Sequence, residues 1–217
     1  MTFTEITAPQ RSPEWFAARL GRLTGSRADC VLAIGRNGAE AVKRRDYRLE
    51  LACERLTGVS AENGFTSAEM QRGIDMEPAA FAAYEAATGE LLSTSGFLSC
   101  TDVQMGCSLD GHVDGFAGIV EIKCPKTATH VGYLEAGILP PAYVPQVTHN
   151  LLVSGAQWCD FVSYDDRLPE SLRLFIVRVT REDVYLAAYE LAARLFLGEV
   201  DTEVEGLMAL ANTRRSA

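Results

Sequence analysis

The segment SLDGHVDGFAGIVEIKCP, from Ser108 to Pro125, decides the fold. Its short runs HVDGF and GIVEIKC are broken by Gly and Asp, the pattern of strands joined by tight turns. Side chains alternate faces along a strand, so Glu121 and Lys123 project together while Val120, Ile122 and Cys124 face the other way. That second face is apolar and is expected to meet the core. Asp110 lies across a hairpin turn, close enough to Glu121 to share a cation.

This set suits phosphodiester hydrolysis. Mg²⁺ is a hard ion that takes oxygen ligands and keeps several waters, so one or two carboxylates plus a substrate phosphate suffice. Asp110 and Glu121 supply the carboxylates, and the Ile122 carbonyl between the two working side chains can add a third oxygen. Lys123 can steer or help deprotonate the attacking water and offset charge growing on the phosphate. A bare Glu-x-Lys recurs by chance; the Asp-Gly and the strand–turn–strand context make this one specific. In a regular strand Asp110, His112 and Asp114 share a face, so strand geometry alone leaves Asp114 as a competing ligand. His112 has no second histidine nearby and reads as structural, and Ser108 lacks the G-x-S-x-G elbow of a triad nucleophile.

Working outward, LLSTSGFLSC and VQMGCSLD extend the strand pattern, and residues 91–124 are expected to form one antiparallel meander of three or four strands. Ser12-Pro13 is a helix start, with that helix ending near Gly21, and Thr24 is expected to cap a second helix through Ala33. Residues 35–38 read as a loop, and 40–57 as a helix closed by Gly58. A long helix is predicted over 67–88, with Gly89 as its C-cap. Helices near 126–136 and 142–154, strands at 157–164 and 172–179, and a last helix over 181–197 complete the order. The fold class is α/β, a central mixed sheet flanked by helices. The chain reads as a single domain over 1–217. Its helical part spans about 10–90 and its catalytic sheet core about 91–179.

The 217 residues are 47% hydrophobic and carry a net charge of −9. That charge opposes a nucleic-acid partner. However, Arg11, Arg19, Arg22, Arg27, Arg36, Lys43, Arg44, Arg45 and Arg48 all fall in the first fifty residues, which predicts a basic patch on an acidic body. The six cysteines form no CxxC pair, which argues against zinc and iron–sulfur sites. No apolar run could span a bilayer, and the first residues lack the apolar stretch of a signal peptide. A cytoplasmic location and no membrane partner are the expectation.

The Asp…Glu-x-Lys arrangement resembles the PD-(D/E)xK nuclease superfamily. More narrowly, the chain resembles the lambda-exonuclease (viral recombinase) family of phages. The likeness runs from about residue 10 to residue 165. Its motifs, in order, are Glu14-Trp-Phe-Ala-Ala-Arg19, Leu23-Thr-Gly-Ser26, Gly73-Ile-Asp-Met-Glu77, Ser108-Leu-Asp-Gly111, Glu121-Ile-Lys-Cys-Pro125 and Tyr143-Val-Pro-Gln146. The match of Ser108-x-Asp-Gly as a unit selects Asp110 over Asp114, although the spacing to Glu121 is one residue longer than in the family pattern.

The resemblance implies a restriction-endonuclease-like core and a Mg²⁺-dependent exonuclease, with Mn²⁺ as a substitute and a pair of ions per site. It would degrade one strand of double-stranded DNA from 5′-phosphorylated ends and leave 3′ tails for a single-strand annealing protein. A homotrimeric ring and a bacterial host, with the gene carried by a phage or prophage, are implied in the same way. Residue by residue, Asp110, Glu121 and Ile122 match metal ligands and Lys123 the catalytic lysine. Glu77 matches a further acidic residue near the second ion, and Gln146 a glutamine that positions the water. Arg19, Ser26 and Ser108 match a pocket for the terminal 5′ phosphate, a sensible set because an Arg fork plus hydroxyls suits a dianion. Arg36 matches an arginine that enters the minor groove, and Met70 an apolar wedge that unpairs terminal bases; a core position for Met70 is equally open. The rival readings are an endonuclease with the same site and a DNA-binding module that has lost its chemistry.

Overall fold

Ser12 opens α1 (Pro13–Arg19) as expected, its hydroxyl accepting the Trp15 N–H at 3.2 Å with Pro13 in the first turn. Before it, a strand absent from the sequence reading, β1 (Phe3–Ile6), pairs antiparallel to a later strand, β3 (Phe97–Cys100). The computed structural model describes residues 1–61 and 67–215.

Thr24 does not cap a helix. It belongs to a two-residue strand, β2 (Leu23–Thr24), and its N–H is bound to the Tyr47 hydroxyl at 3.2 Å. A 3₁₀ turn at Gly25–Arg27 follows, then the short α2 (Ala28–Val31). The loop expected at 35–38 holds a 3₁₀ turn at Arg36–Gly38. α3 (Val42–Thr57) starts two residues later than expected and ends on left-handed Gly58; α4 (Ala68–Thr88), with Ser67 as its N-cap, ends on left-handed Gly89, both glycine ends as expected. Pro78 sits inside α4.

The meander is a correction. β3 pairs antiparallel with β4 (Met105–Ser108), but β4 does not pair with β5 (Gly111–Val113). β5 instead forms a hairpin with β6 (Gly118–Lys123) in a second sheet. Only Leu109 and Asp110 separate the two sheets. Leu109 turns inward and is 1% exposed, so the chain passes through the core where a hairpin would have exposed it. Alternation fixes which face a residue takes and says nothing about which strand it pairs with.

The remaining elements are α5 (Thr127–Ala136), α6 (Val144–Ser154), β7 (Trp158–Tyr164), β8 (Leu174–Thr180) and α7 (Leu186–Arg215). Pro145 falls in the first turn of α6, where a missing N–H is harmless. The final helix starts later and runs much further than the expected 181–197. The protein is therefore a mixed α/β fold with two four-stranded mixed sheets, ordered β1-β3-β4-β2 and β5-β6-β7-β8, flanked by helices. β6 is covered on both faces: Ile119 joins the main core with Val147 and Leu151 of α6, while Val120 and Ile122 pack with Ala80 and Tyr84 of α4.

The loop after β7 ties α4 to the segment that follows β6. Asp165 is fully buried and accepts from Arg167 at 2.6 and 2.9 Å and from Arg72 of α4 at 3.3 Å. Arg167 also donates to the Pro125 carbonyl at 3.0 Å. Burial alone would raise the Asp165 pKa, but its hydrogen bonds with Arg167 and Thr127 hold it down at about 2. A depressed carboxylate stabilises the fold above its unfolded pKa and loses that contribution as pH falls through the folded value. Asp165→Asn is expected to cost about 2 kcal/mol at neutral pH. Denaturant melts across pH should show the gap to wild type closing between the ordinary 3.8 and about 2.

Candidate active site

The open edge of β6 gathers the candidate residues. Pairing with β5 ends at Gly111↔Val120, so beyond Val120 that edge has no neighbouring strand among the described residues. The Asp110 carboxylate takes the place of one, accepting the Ile122 N–H at 2.7 Å. The N–H and C=O of one strand residue point to the same edge, so the Ile122 carbonyl faces the Asp110 side. Asp114 is excluded from this cluster. It stands exposed in the turn at the far end of the hairpin, with a positive φ of 46°. His112 likewise turns away, stacking on Phe116 with centroids 4.0 Å apart.

Glu121 is 2% exposed, more deeply set than a residue on a cleft wall. It shares the Ile119 face and so points under α6. There Gln146 donates to Oε1 at 2.5 Å and Asn150 to Oε2 at 2.9 Å, and Lys123 forms an ion pair with Oε1. Gln146 and Asn150 are one helical turn apart, which places both amides on one face of α6. Asn150 escaped the sequence reading, although its spacing from Gln146 was the available signal. Tyr143 also belongs here, its ring 5.5 Å from the Lys123 ammonium.

The electrostatics are those of crowded carboxylates. Burial pushes Glu121 up to about 7; the charges of Asp110 and Glu77 add to this, and Lys123 opposes it. Burial raises Asp110 as well, against Lys123 and the Ile122 N–H. Glu77, on α4, is raised by burial and then by the Asp110 charge, which places it beside the pair without hydrogen-bonding to it. Burial would lower Lys123, but Glu121 and Asp110 outweigh it and hold the ammonium protonated. Its part in this arrangement is therefore that of a donor and a positive charge.

Among the described residues no group of three or more His, Cys, Asp or Glu side chains is set to hold a metal. The donor set is instead two carboxylates and a backbone carbonyl, all hard oxygens, gathered at the Ile122 end of β6. That fits an ion that retains much of its water shell. The raised proton affinity of three neighbouring carboxylates is what a divalent cation would relieve.

The other site residues fall into two groups. Arg19 stacks 4.1 Å over the Trp15 ring, and Trp15 Nε1 donates to the Ser108 hydroxyl at 2.8 Å, so Trp15 joins those two. β2 and β4 run parallel with Thr24 opposite Gly106, and Ser26, in the 3₁₀ turn that follows β2, has its hydroxyl 3.4 Å from that of Thr24. Arg19, Arg22, Thr24 and Arg27 line one small cavity. Gly25 is packed so closely against α6 that a Cβ there would lie 2.3 Å from Asn150 Oδ1. In contrast, Arg36 stands exposed on its 3₁₀ turn and Met70 is 56% exposed in the first turn of α4, which removes the core position for Met70.

The expected basic patch is largely neutralised within the fold. Arg27 pairs with Glu50, Lys43 with Asp29, Arg44 with Glu40 and Glu199, Arg45 with Asp46, and Arg48 with Glu40. Clustering of the cations in sequence did not reveal that acidic partners come from α2, from Glu40 just ahead of α3, from α3 itself and from α7.

Residues 14–157 match the family described as the YqaJ-like viral recombinase domain. Among solved structures, LHK-Exo, an alkaline exonuclease from Laribacter hongkongensis, is 40% identical, with a TM-score of 0.83 over 93% of this chain and 99% of that one. The structure of LHK-Exo in complex with dAMP superposes with a TM-score of 0.84 at the same identity and coverage. A phage-related exonuclease from Haemophilus somnus 129PT shares 14% identity and a TM-score of 0.64 over 88% of this chain and 96% of that one, a likeness of fold alone. No curated protein matches the chain. None of the described helices is long and apolar enough to cross a membrane.

Proposed function

The chain belongs to the YqaJ-like viral recombinase family, and from that premise we propose that it is a Mg²⁺-dependent 5′-to-3′ exonuclease. Its substrate is double-stranded DNA with 5′-phosphorylated ends, and its product is a duplex with 3′ single-stranded tails suited to a single-strand annealing partner in recombination. The observation that carries the reading is the open β6 edge, where Asp110, Glu121, the Ile122 carbonyl and Lys123 converge. The dAMP bound by the 40%-identical LHK-Exo supports it, since a mononucleotide is what stepwise removal from an end releases.

Asp110, Glu121 and the Ile122 carbonyl are the residues that would hold Mg²⁺, or Mn²⁺ in its place, with Glu77 beside a second ion. The ion supplies Lewis acidity toward the phosphate and a water of lowered pKa. Gln146 and Asn150 hold the Glu121 carboxylate in place, one on each oxygen. Lys123 offsets charge on the scissile phosphate. Arg19, Ser26 and Ser108 grip the terminal 5′ phosphate and so set direction, Arg36 follows the minor groove, and exposed Met70 wedges the terminal pair apart. A homotrimeric ring acting in a bacterial cytoplasm completes the reading.

The test is digestion of linear duplex labelled separately at each end, with Mg²⁺, with chelator, and beside a closed circle. Progressive loss from the phosphorylated 5′ end only, requiring Mg²⁺, is the expected result. Cutting of circles would make the enzyme an endonuclease, and inertness under every divalent ion would make it a binding module. Arg19→Ala is expected to slow digestion of 5′-phosphorylated ends roughly tenfold or more while sparing hydroxyl ends, because a charge-assisted pair is lost only with the former. Equal losses on both substrates would remove the phosphate pocket from the reading.

A further inference from the structure

Arg11 occupies a position where glycine is the ordinary choice. The Ser12 N–H bonds the Pro9 carbonyl at 3.0 Å, closing a turn in which Arg11 is the third residue with a φ of 69°. A positive φ at the third position is the type II pattern, which takes Gly or Asn because a Cβ crowds the backbone there. The turn is anchored: Gln10 Nε2 donates to the Leu109 carbonyl at 3.0 Å, fixing it beside Asp110.

The anchored turn sets Arg11 into a cleft of about 710 Å³ lined also by Glu5, Glu77 and Asp110. No other Lys or Arg among the described residues lines it. The Arg11 charge favours the ionised forms of both Glu77 and Asp110. Among the described residues, however, it forms no hydrogen bond or ion pair with either. It thus escapes the neutralisation that consumes most basic residues in the first fifty. Sterically costly backbone geometry persists where the surroundings and function impose it. A phosphodiester strand entering a cleft with three carboxylates also needs a cation from the chain itself.

We propose that Arg11 is a substrate-contact residue that binds a backbone phosphate of the DNA strand at the mouth of the catalytic cleft. The inference rests on the exonuclease reading for the identity of the strand. The guanidinium fork matches the phosphate oxygens in pairs. Arg11 and Arg19 bracket α1, so one short rigid segment, pinned through Trp15 to Ser108, presents a cation at either end.

Arg11→Gly separates charge from strain, because glycine keeps the left-handed backbone without steric cost. Against wild type, the melting temperature should hold or rise while KM for linear duplex increases several-fold with kcat little changed. The log–log salt dependence of duplex binding should flatten by about 0.9, the loss of one phosphate contact. Arg11→Lys should recover most of the salt slope at the lower stability. An active wild type whose Arg11→Gly variant keeps the same KM and salt slope overturns this proposal and leaves the exonuclease reading standing. A wild type that neither binds nor digests duplex DNA overturns both.

Discussion

Glu121→Gln should leave duplex ends bound and undigested, with turnover lower by roughly 10³-fold or more, the scale of removing a charge-stabilising group at a reacting phosphate. The substitution keeps the side chain's shape inside the grip of Gln146, Asn150 and Lys123. It exchanges a buried carboxylate, held up at about 7 by burial and by Asp110, for a neutral amide. The buried charge is relieved, and the new amide nitrogen can donate to Asn150 Oδ1, which has no other partner among the described residues, once the Asn150 amide turns over. The melting temperature should therefore stay close to wild type, which separates lost chemistry from lost folding. Lys123→Ala, measured alongside, should lose about 10²- to 10⁴-fold. Rates near wild type in either variant would sink the assignment of this edge as the reactive centre.

Gly25→Ala is expected to reduce turnover roughly 10- to 100-fold, the range seen when a group that orients a metal ligand is displaced. A methyl placed 2.3 Å from Asn150 Oδ1 cannot be accommodated unless the Asn150 side chain or one of the two segments moves. Asn150 is the one whose displacement reaches Glu121. Overpacking of this kind should also cost about 1–3 kcal/mol. The decisive comparison is a double-mutant cycle with Asn150→Ala, which empties the space the new methyl needs. If the contact transmits the effect, the double variant will be no slower than Asn150→Ala alone. Strict additivity would mean that Gly25 acts by another route.

Strand β6 was legible because its chemistry and its periodicity agree: Glu121 and Lys123 alternate with Val120 and Ile122, and each set meets the surroundings its polarity requires. Helix ends at Ser12, Ser67, Gly58 and Gly89 were legible for the same reason, since a capping residue acts within one turn. What escaped depends on partners distant in sequence. β1 finds its partner in β3, about ninety residues away in register. The split of the meander turns on whether Leu109 is buried, and alternation cannot report that. Thr24 and Gly25 look like a helix start, but the parallel pairing with β4 claims the first and Asn150 crowds the second. The fate of the early arginines is only partly of this kind: Asp29, Glu40, Asp46 and Glu50 lie in the same fifty residues, where the clustered cations mask them, and Glu199 arrives from α7.

The Asp110 carboxylate on the Ile122 N–H carries a consequence for how the molecule behaves in a crowd. A strand edge with unpaired backbone donors is a template on which another chain can add a strand and begin to aggregate. Beyond Val120, β6 would offer such an edge beside an apolar core. By occupying the Ile122 donor with a charged side chain, the protein leaves an incoming strand without a partner there and sets a negative charge in its path. The same carboxylate that would hold a cation for chemistry thus also keeps the β6 edge from being mistaken for a vacancy in the sheet.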